Sequence, residues 1–440
     1  MRIANWVLGS ALGIALSGGF NTFADWPQFR GPDGNNHASL SKLPDRWNLP
    51  TDLAWKTPLP GKGWSSPVTS QGKVWVTTAK TSEPDPQDLV RKAEKSLATD
   101  KVIAGDVELW AYGIDLVSGE KIHEIRLASL DQVDPIHSLN SYASPTPAIA
   151  NGKVVCHFGR YGTWCLDAAR GTVLWNVQYV IDHSVGPGSS PIIADGVVLL
   201  VCDGIDEQFV VGVDLATGKE RWKTPRPPLR PKNEEQRKAY STPLIVDSNG
   251  KKIAVIPGAQ WIVAYDPQTG KEVWRADHGE GFSTTPSPIL ESNRIVFSTG
   301  YMRPVLVGMR LDGQGDITTS HVAWQATKGG PTISSPLGFD GRVYALTDTG
   351  ILSCYDVQNG EELGKRRIGG KFAASPLLLD KKILLCGQDG KVTVLQATPE
   401  LEVLAENDLG EQLMASPAVD ANRLIIRGVD HLFCISASQR

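Results

Sequence analysis

A ten-residue phrase recurs along this chain and constrains its fold more than any other feature. Its clearest copies are LDAARGTVLW (166–175), VDLATGKERW (213–222) and YDPQTGKEVW (265–274). In each copy an alternating apolar strand ends at Asp, whose carboxylate can bond the backbone N–H groups of the next turn, and Gly supplies the positive φ that the turn needs. A second strand that carries a Trp follows. The phrase therefore predicts a β-hairpin that the fold uses repeatedly.

Weaker copies raise the number of hairpins to eight. They include IDLVSGEKIH (114–123), YDVQNGEELG (355–364) and the degenerate LDGQG (311–315). The residues at the Asp position are Asp115, Asp167, Asp214, Asp266, Asp312, Asp356, Gln396 and Ser436. A second landmark, a Ser/Thr–Pro pair that opens a strand, also occurs eight times, since Pro is tolerated at the first residue of a strand. Its copies are SSP (65–67), ASP (143–145), SSP (189–191), STP (241–243), PSP (286–288), SSP (334–336), ASP (374–376) and ASP (415–417).

Each unit reads as four short strands, as in the alternating stretch RVYALTDTGILSCYD (342–356). Eight such units of about 40 to 50 residues predict an all-β fold, an eight-bladed β-propeller of four-stranded antiparallel blades. LAWKTPL (53–59) looks like an outer strand but precedes the first Ser–Pro pair, and the last unit lacks its fourth strand. The N-terminal strand should therefore complete the last blade and close the ring.

Five tryptophans occupy the same position on the predicted outer strands. Because a large flat side chain fills the gap between twisted sheets well, we expect these residues to dock neighbouring blades and not to bind a ligand. They are Trp55, Trp175, Trp222, Trp274 and Trp324.

The first 24 residues have the pattern of a secretory signal peptide: Arg2, the apolar run VLGSALGIAL (7–16) and small residues up to Ala24. The apolar run is too short to span a membrane, so residues 25–440 are predicted to be one periplasmic or secreted propeller domain with no transmembrane segment. The formal net charge of −4 gives no bulk attraction to nucleic acid. We expect a monomer.

Six cysteines lie in what should be an oxidising compartment. Cys156 and Cys165 flank HFGRYGTW (157–164), and they would face each other if residues 159–162 formed the hairpin loop. A disulfide between them and two separate buried thiols are the two alternatives for this hairpin.

The units resemble the pyrroloquinoline quinone (PQQ) repeat, whose phrase is close to Ala-x-Asp-x-x-Thr-Gly-x-x-x-Trp. Residues 25–440 are similar to the PQQ-like β-propellers of bacterial envelopes that are called BamB-like. The segments that resemble a secreted subgroup are DWPQFRGPDG (25–34), NSYASPTP (140–147), HFGRYGTWCLD (157–167), GPGSSP (186–191) and VLAENDLGE (403–411). The resemblance implies a propeller and envelope protein partners in outer-membrane biogenesis. The name of the repeat does not imply a bound quinone.

The chain departs from two groups of this family. BamB-type proteins are lipoproteins, whereas no Cys precedes Cys156 here. Quinoprotein dehydrogenases carry an adjacent Cys–Cys pair over the quinone and a Ca²⁺ site of acidic and amide side chains. No two Cys are adjacent in this sequence, and no such Ca²⁺ site is recognisable.

A search for catalytic motifs finds no HExxH, no G-x-S-x-G, no P-loop and no CxxC, so neither a metal site nor a catalytic residue is predicted. Three long segments should emerge on one face of the ring: 79–106, 128–142 and 224–240. The first is an insertion in blade 1 whose Leu89, Val90, Ala93 and Leu97 form a stripe at helical spacing.

Polar and aromatic residues of shorter loops should gather at the same channel mouth and bind a ligand or a partner, the alternative for each being a solvated loop side chain. These candidates are Arg160, Tyr161, Asp203, Asp206, Trp261, Tyr301, Arg303, His137, Asn140 and His183.

We favour a non-catalytic envelope propeller that binds protein partners as a scaffold, with no cofactor. One alternative is a PQQ-dependent oxidoreductase that holds PQQ and Ca²⁺, with Arg160 and Arg303 as cations for the quinone and Asp203 as its acid. The other is a polysaccharide- or small-ligand-binding propeller that uses exposed aromatics such as Trp261.

Overall fold

The computed structural model describes residues 25–40, 43–95 and 100–436, and these form an eight-bladed propeller of four-stranded antiparallel sheets. The innermost strands of neighbouring blades contact one another around a central axis. The predicted fold class is therefore confirmed. The predicted signal peptide (1–24) and Leu97 of the predicted helical stripe lie outside the described residues.

The blades follow one another in chain order. From the innermost strand outward, blade 1 consists of Val68–Ser70, Lys73–Thr81, Val107–Asp115 and Lys121–Leu130, and blade 2 of Ala148–Ala150, Lys153–His157, Thr163–Asp167 and Val173–Val177. Blade 3 consists of Ile192–Ala194, Val197–Asp203, Gln208–Asp214 and Glu220–Pro225, and blade 4 of Leu244–Ser248, Lys251–Pro257, Trp261–Tyr265 and Glu272–Asp277. In the same order, blade 5 consists of Ile289–Glu291, Arg294–Ser298, Leu306–Arg310 and Val322–Ala326, and blade 6 of Leu337–Phe339, Arg342–Leu346, Ile351–Asp356 and Glu362–Arg367. Blade 7 consists of Leu377–Leu379, Lys382–Cys386, Lys391–Gln396 and Val403–Asp408, and blade 8 of Ala418–Asp420, Arg423–Arg427, His431–Ser436 and Leu53–Pro58.

Blade 8 is built from both ends of the chain. Its outermost strand, Leu53–Pro58, pairs antiparallel with His431–Ser436. The ring is closed by an N-terminal strand, as the sequence predicts.

The remaining elements are short. The α-helices are Leu49–Asp52 and Pro86–Lys95, and the 3₁₀ turns are Gly159–Tyr161 and Glu234–Gln236. Lys101–Val102 pairs with Ile136–His137 as a separate ribbon, while His37–Ala38 and Gly315–Asp316 add parallel strands to blades 7 and 4. No helix within the described ranges is long and apolar enough to cross a membrane.

The recurring phrase forms the turn between the third and fourth strands of a blade. In blade 3 the Asp214 carboxylate accepts the N–H groups of Ala216 at 3.0 Å and of Thr217 at 2.8 Å. Gly218 then takes a φ of +74°, which side chains rarely tolerate. The Asp and the Gly of the phrase are thus explained by one local turn.

The Trp of the phrase docks on the same turn of the next blade. Trp175 of blade 2 donates its indole N–H to the carbonyl of Leu215 in blade 3 at 3.0 Å. A Cβ on Gly218 would lie 2.8 Å from this indole ring, so the ring seats directly on the glycine. The equivalent bonds are Trp55 to Leu116 at 3.0 Å, Trp222 to Pro267 at 3.2 Å and Trp324 to Val357 at 2.8 Å.

Trp274 of blade 4 is the exception, because its neighbour, blade 5, carries the degenerate copy of the phrase. There the chain returns as Gly315–Asp316 and pairs beside Trp274 in place of the usual turn. Trp274 is fully buried, and its indole N–H has no hydrogen-bond partner in the described part of the chain.

The Ser/Thr–Pro landmarks form a girdle around the axis that consists of two hydrogen-bonded arcs, one from blade 1 to blade 4 and one from blade 5 to blade 8. At each step, the backbone N–H of one blade bonds the hydroxyl of the next. The steps are Ser66 to Thr146, Thr146 to Ser190, Ser190 to Thr242, Ser287 to Ser335, Ser335 to Ser375 and Ser375 to Ser416, at 2.9–3.0 Å. In blade 2 the girdle residue is Thr146, followed by Pro147, so the assignment of this landmark to 143–145 is wrong.

The register of the blade-2 hairpin excludes the disulfide alternative. The connection has one residue more than expected, since His157 pairs with Thr163. Cys156 therefore lies opposite Trp164 and Cys165 opposite Val155, so the two thiols point to opposite faces of the sheet. All six cysteines are buried and free.

We expect Trp324→Phe to destabilise the fold more than Trp274→Phe, by about 1 kcal/mol, because only Trp324 loses a hydrogen bond. Both changes remove the same volume, so each variant controls for the other. Urea unfolding followed by circular dichroism measures the difference. Equal losses would show that the bond between blades contributes nothing.

We expect all six thiols to be unreactive toward Ellman's reagent in the folded protein and to react after unfolding without reductant. Two fewer thiols in the unfolded chain would reveal a disulfide and contradict the register.

Candidate functional site

The two faces of the ring carry different connections. Because strands alternate in direction, the segments between blades and those between second and third strands emerge on one face, which we call the loop face. The tight turns emerge on the other, the turn face. The second strand of blade 1 continues to Thr81, so the segment that leaves this sheet is 82–106 rather than 79–106.

The helix of this insertion, Pro86–Lys95, turns its polar side toward the body of the protein. Asp88 is buried; its carboxylate accepts the backbone N–H of Asp85 at 3.0 Å, and its own N–H donates to the Asp85 carboxylate at 2.8 Å. Lys95 forms an ion pair with Asp134 of the second long segment. Leu89 and Val90 of the predicted stripe are 52% and 59% exposed, so this apolar stripe faces solvent.

Arg160 and Tyr161 lie on the 3₁₀ turn of blade 2 and bind one loop residue. The Arg160 guanidinium pairs with the Asp134 carboxylate, and the Tyr161 hydroxyl accepts the N–H of Asp134 at 2.9 Å. Lys95 contacts the same carboxylate. The positive charge of Arg160 is therefore neutralised inside the protein.

Asn140 and His183 fasten the loops of blades 2 and 3. Asn140 donates to the carbonyls of Val185 at 2.8 Å and Pro187 at 3.2 Å. His183 accepts the N–H of Arg160 at Nε2, 3.2 Å away, and burial lowers its pKa to about 4, so the imidazole is neutral at pH 7. His137 is half-buried, 3.4 Å from the Asp100 carboxylate.

Asp203 forms a buried ion pair. One of its oxygens lies 3.3 Å from Nε of Arg226, and both side chains are almost fully buried. Burial raises the pKa of Asp203 although the attraction of Arg226 opposes it; burial lowers the pKa of Arg226, yet the attraction of Asp203 leaves it raised. The direct contact between the two side chains keeps both groups charged at pH 7. Asp206 is bonded locally, to the N–H groups of Asp182 and Glu207 at 2.9 and 2.8 Å.

Trp261 is enclosed by the Pro-rich third segment. Its indole N–H donates to the carbonyl of Pro228 at 3.1 Å. The guanidinium carbons of Arg230 and Arg275 lie 5.9 and 5.7 Å from its ring centre, within cation–π range. The ring thus packs the loop against blade 4.

Tyr301 and Arg303 are exposed on the loop face, where the Tyr301 ring makes an edge contact with the ring of Phe282. Both belong to the loop between the second and third strands of blade 5, with Met302 between them at a φ of +70°. Tyr301 is 59% and Met302 70% exposed. The ten predicted residues therefore do not line one pocket: most of them join the loops of blades 1 to 4 together, and these two reach solvent.

A segment that the sequence analysis did not assign occupies the channel axis. In residues 25–40, Trp26 pairs with Thr69 of blade 1, and Pro27 accepts the N–H of Ile149 of blade 2 at 2.7 Å. Arg30 donates to the carbonyl of Pro336 of blade 6 at 2.7 Å, and His37–Ala38 pairs with blade 7. Since all these partners lie in or next to innermost strands, the segment fills the channel. DWPQFRGPDG was its only sequence signal.

The residues predicted to hold a quinone do not fit it. Arg160 is paired with Asp134, and Asp203 is buried against Arg226. Arg303 belongs to a separate blade. Within residues 25–40, 43–95 and 100–436, no group of three or more His, Cys, Asp and Glu side chains is placed to hold a metal ion.

The fold and these contacts define a β-propeller in which hydrogen bonds and ion pairs join the loops of the loop face to one another. The chain belongs to the family described as outer membrane protein assembly factor BamB, whose sequence model matches residues 74–224, 137–260, 208–330 and 258–400. In a comparison with curated protein sequences, none matches the chain.

Solved structures with this fold include BamB and dehydrogenases. BamB from Moraxella catarrhalis matches with a TM-score of 0.59 at 15% identity, covering 88% of this chain and 98% of that one. Quinohemoprotein alcohol dehydrogenase from Comamonas testosteroni matches with a TM-score of 0.61 at 14% identity, covering 95% and 81%. A europium-containing methanol dehydrogenase matches with 0.60 at 14%, covering 93% and 90%. At these identities the likeness establishes the fold alone.

We expect His183 to make stability depend on pH. Its pKa is lowered from 6.5 to about 4 by burial, so below pH 6.5 the unfolded chain binds a proton that the folded state excludes. Stability should therefore fall as pH drops from about 6.5 toward about 4. His183→Gln should remove up to about 3 kcal/mol of that fall.

Thermal unfolding across this pH range measures the effect, with His137→Gln, at a half-buried position, as the control. Parallel pH profiles for wild type and His183→Gln would show that His183 does not contribute.

Proposed function

We propose that this protein is a non-catalytic scaffold of the cell envelope that binds protein partners on its loop face. The observation that carries the proposal is a difference between the polar and the apolar side chains of that face. Polar candidates such as Arg160 and Asp203 are paired within the protein, whereas large apolar side chains of two separate loops, among them Val90 and Tyr301, are exposed.

A rigid platform with exposed apolar side chains suits protein docking. The bonds of Arg160, Asn140 and Trp261 fix the loops in advance, so little order remains to be imposed when a partner binds. Tyr and Met are enriched at protein interfaces, and Tyr301 and Met302 stand side by side on blade 5. Exposed apolar patches of this kind mark interaction sites.

The family supports an envelope partner. Its description is that of an outer membrane assembly factor, and the BamB structure from Moraxella catarrhalis shares the fold across nearly its whole length. We infer that this chain acts in the same compartment, in line with the signal peptide predicted from its first residues.

The alternatives have less support. Some relatives in fold are quinoprotein dehydrogenases, but the cation and the acid that a quinone would need are bonded to Asp134 and Arg226. Trp261, the aromatic residue expected to stack on a saccharide, is covered by Arg230 and Arg275. We therefore expect no cofactor.

Site-specific photo-crosslinking tests the proposal with a matched control. Val90, Tyr301 and Val117 are each 59% exposed, but Val117 lies in a tight turn on the turn face. We expect a photoreactive residue at position 90 or 301 to form discrete protein adducts in cells of the native host. The same residue at position 117 should form none.

Equal adducts at all three positions would indicate random collision, and adducts at position 117 alone would place the partner on the wrong face. Either result, or none at positions 90 and 301, contradicts a docking site on the loop face.

A further inference from the structure

Blade 6 carries a cluster of positive charge that differs from the rest of this acidic chain. Its outermost strand, Glu362–Arg367, and the loop that follows contain Lys365, Arg366, Arg367 and Lys371. No Asp or Glu occurs between residues 363 and 379, although the chain as a whole has a formal charge of −4. We call Arg366, Arg367 and Lys371 the basic strip.

The charges of the basic strip are unpaired. All three side chains are exposed, and none forms an ion pair or a hydrogen bond with any residue of the described ranges. Lys365, the fourth cation, is the one that pairs, with Glu362 at 2.8 Å. The strip is therefore free to meet an external anion.

Arginines on the outermost strands of other blades behave differently. Arg126 of blade 1 pairs with Glu108 at 2.8 Å, Arg221 of blade 3 with Asp214, and Arg275 of blade 4 with Glu272 at 3.3 Å. Each of these strands has its acid close by, in the same hairpin or on the same strand. Blade 6 departs from this arrangement.

The backbone next to the strip is also open. Glu362–Arg367 ends the sheet of blade 6, and its outer edge pairs with no strand in the part of the chain that the structure describes. Elsewhere this propeller fills such an edge, since Gly315–Asp316 adds a parallel fifth strand to the outer edge of blade 4. The outer edge of a blade here therefore accepts an additional strand.

We propose that an acidic, extended segment of a partner protein adds as a strand to the outer edge of blade 6, with its carboxylates on Arg366, Arg367 and Lys371. Strand addition supplies backbone hydrogen bonds, and the unpaired cations select an acidic sequence. A nucleic acid or a lipid headgroup could meet the cations but would leave the strand edge unused, so the open edge favours a peptide. The inference rests on the proposed protein-binding function and names the chemistry of one partner.

The test uses the purified protein and a short fluorescent peptide in which pairs of adjacent Glu residues alternate with Val residues. Arg366 and Arg367 are successive residues of one strand and point to opposite faces of the sheet, so the peptide needs carboxylates on both faces. We expect saturable binding by fluorescence anisotropy, and binding weaker by about tenfold for the double variant Arg366→Gln/Arg367→Gln. The control variant Arg221→Gln, on the rim of blade 3, should bind like wild type. A peptide of the same sequence with N-methylated backbone should also bind about tenfold more weakly, because it keeps the charges but loses the strand hydrogen bonds.

Equal affinity for the N-methylated peptide would overturn strand addition, and so would equally tight, strip-dependent binding of single-stranded DNA or of anionic lipid vesicles. No binding of the acidic peptide would overturn the inference as well. If wild type binds no peptide and the double variant aggregates, the cations serve only to keep the exposed strand edge from pairing with other copies of the protein. Crosslinks at positions 90 and 301 do not depend on the strip, so the proposed function can survive the loss of this inference.

Discussion

The contact between a tryptophan on one blade and the Asp–Gly turn of the next is the interaction on which this propeller depends. Trp175 seats its ring on Gly218 and donates to the carbonyl of Leu215. The glycine is needed twice, for its positive φ and for the ring that covers it. This explains why Asp, Gly and Trp recur together: the turn and the indole are two halves of one joint between blades.

The ring has a second set of joints near its axis. The Ser/Thr hydroxyls of the girdle bond the N–H groups of neighbouring blades, and the N-terminal segment crosses the channel to touch blades 1, 2, 6 and 7. The chain then runs outward and forms the outermost strand of blade 8. The N-terminal region thus fills the channel before it closes the ring, which ties the first residues of the fold to the last.

The same principle governs the loop face. Arg160, Asn140 and Asp203, which look like ligand-binding groups when each is considered alone, find their partners in neighbouring loops. A closed ring crowds these loops together, and a buried charge or amide is stable only when it is bonded. What is left for other molecules are side chains at the periphery: the apolar residues of two loops and the basic strip of blade 6.

The sequence by itself determined the number of blades, the Asp–Gly turns and the closing strand, because alternation, turn chemistry and repeat spacing act within short windows of the chain. It missed the partners of Arg160 and Asp203, which lie 26 and 23 residues away in other loops. It also left two alternatives open for Cys156 and Cys165, because one additional residue in a connection inverts the face on which a side chain lies. Only the tertiary structure decided these contacts, since they depend on which loops the closed ring brings together.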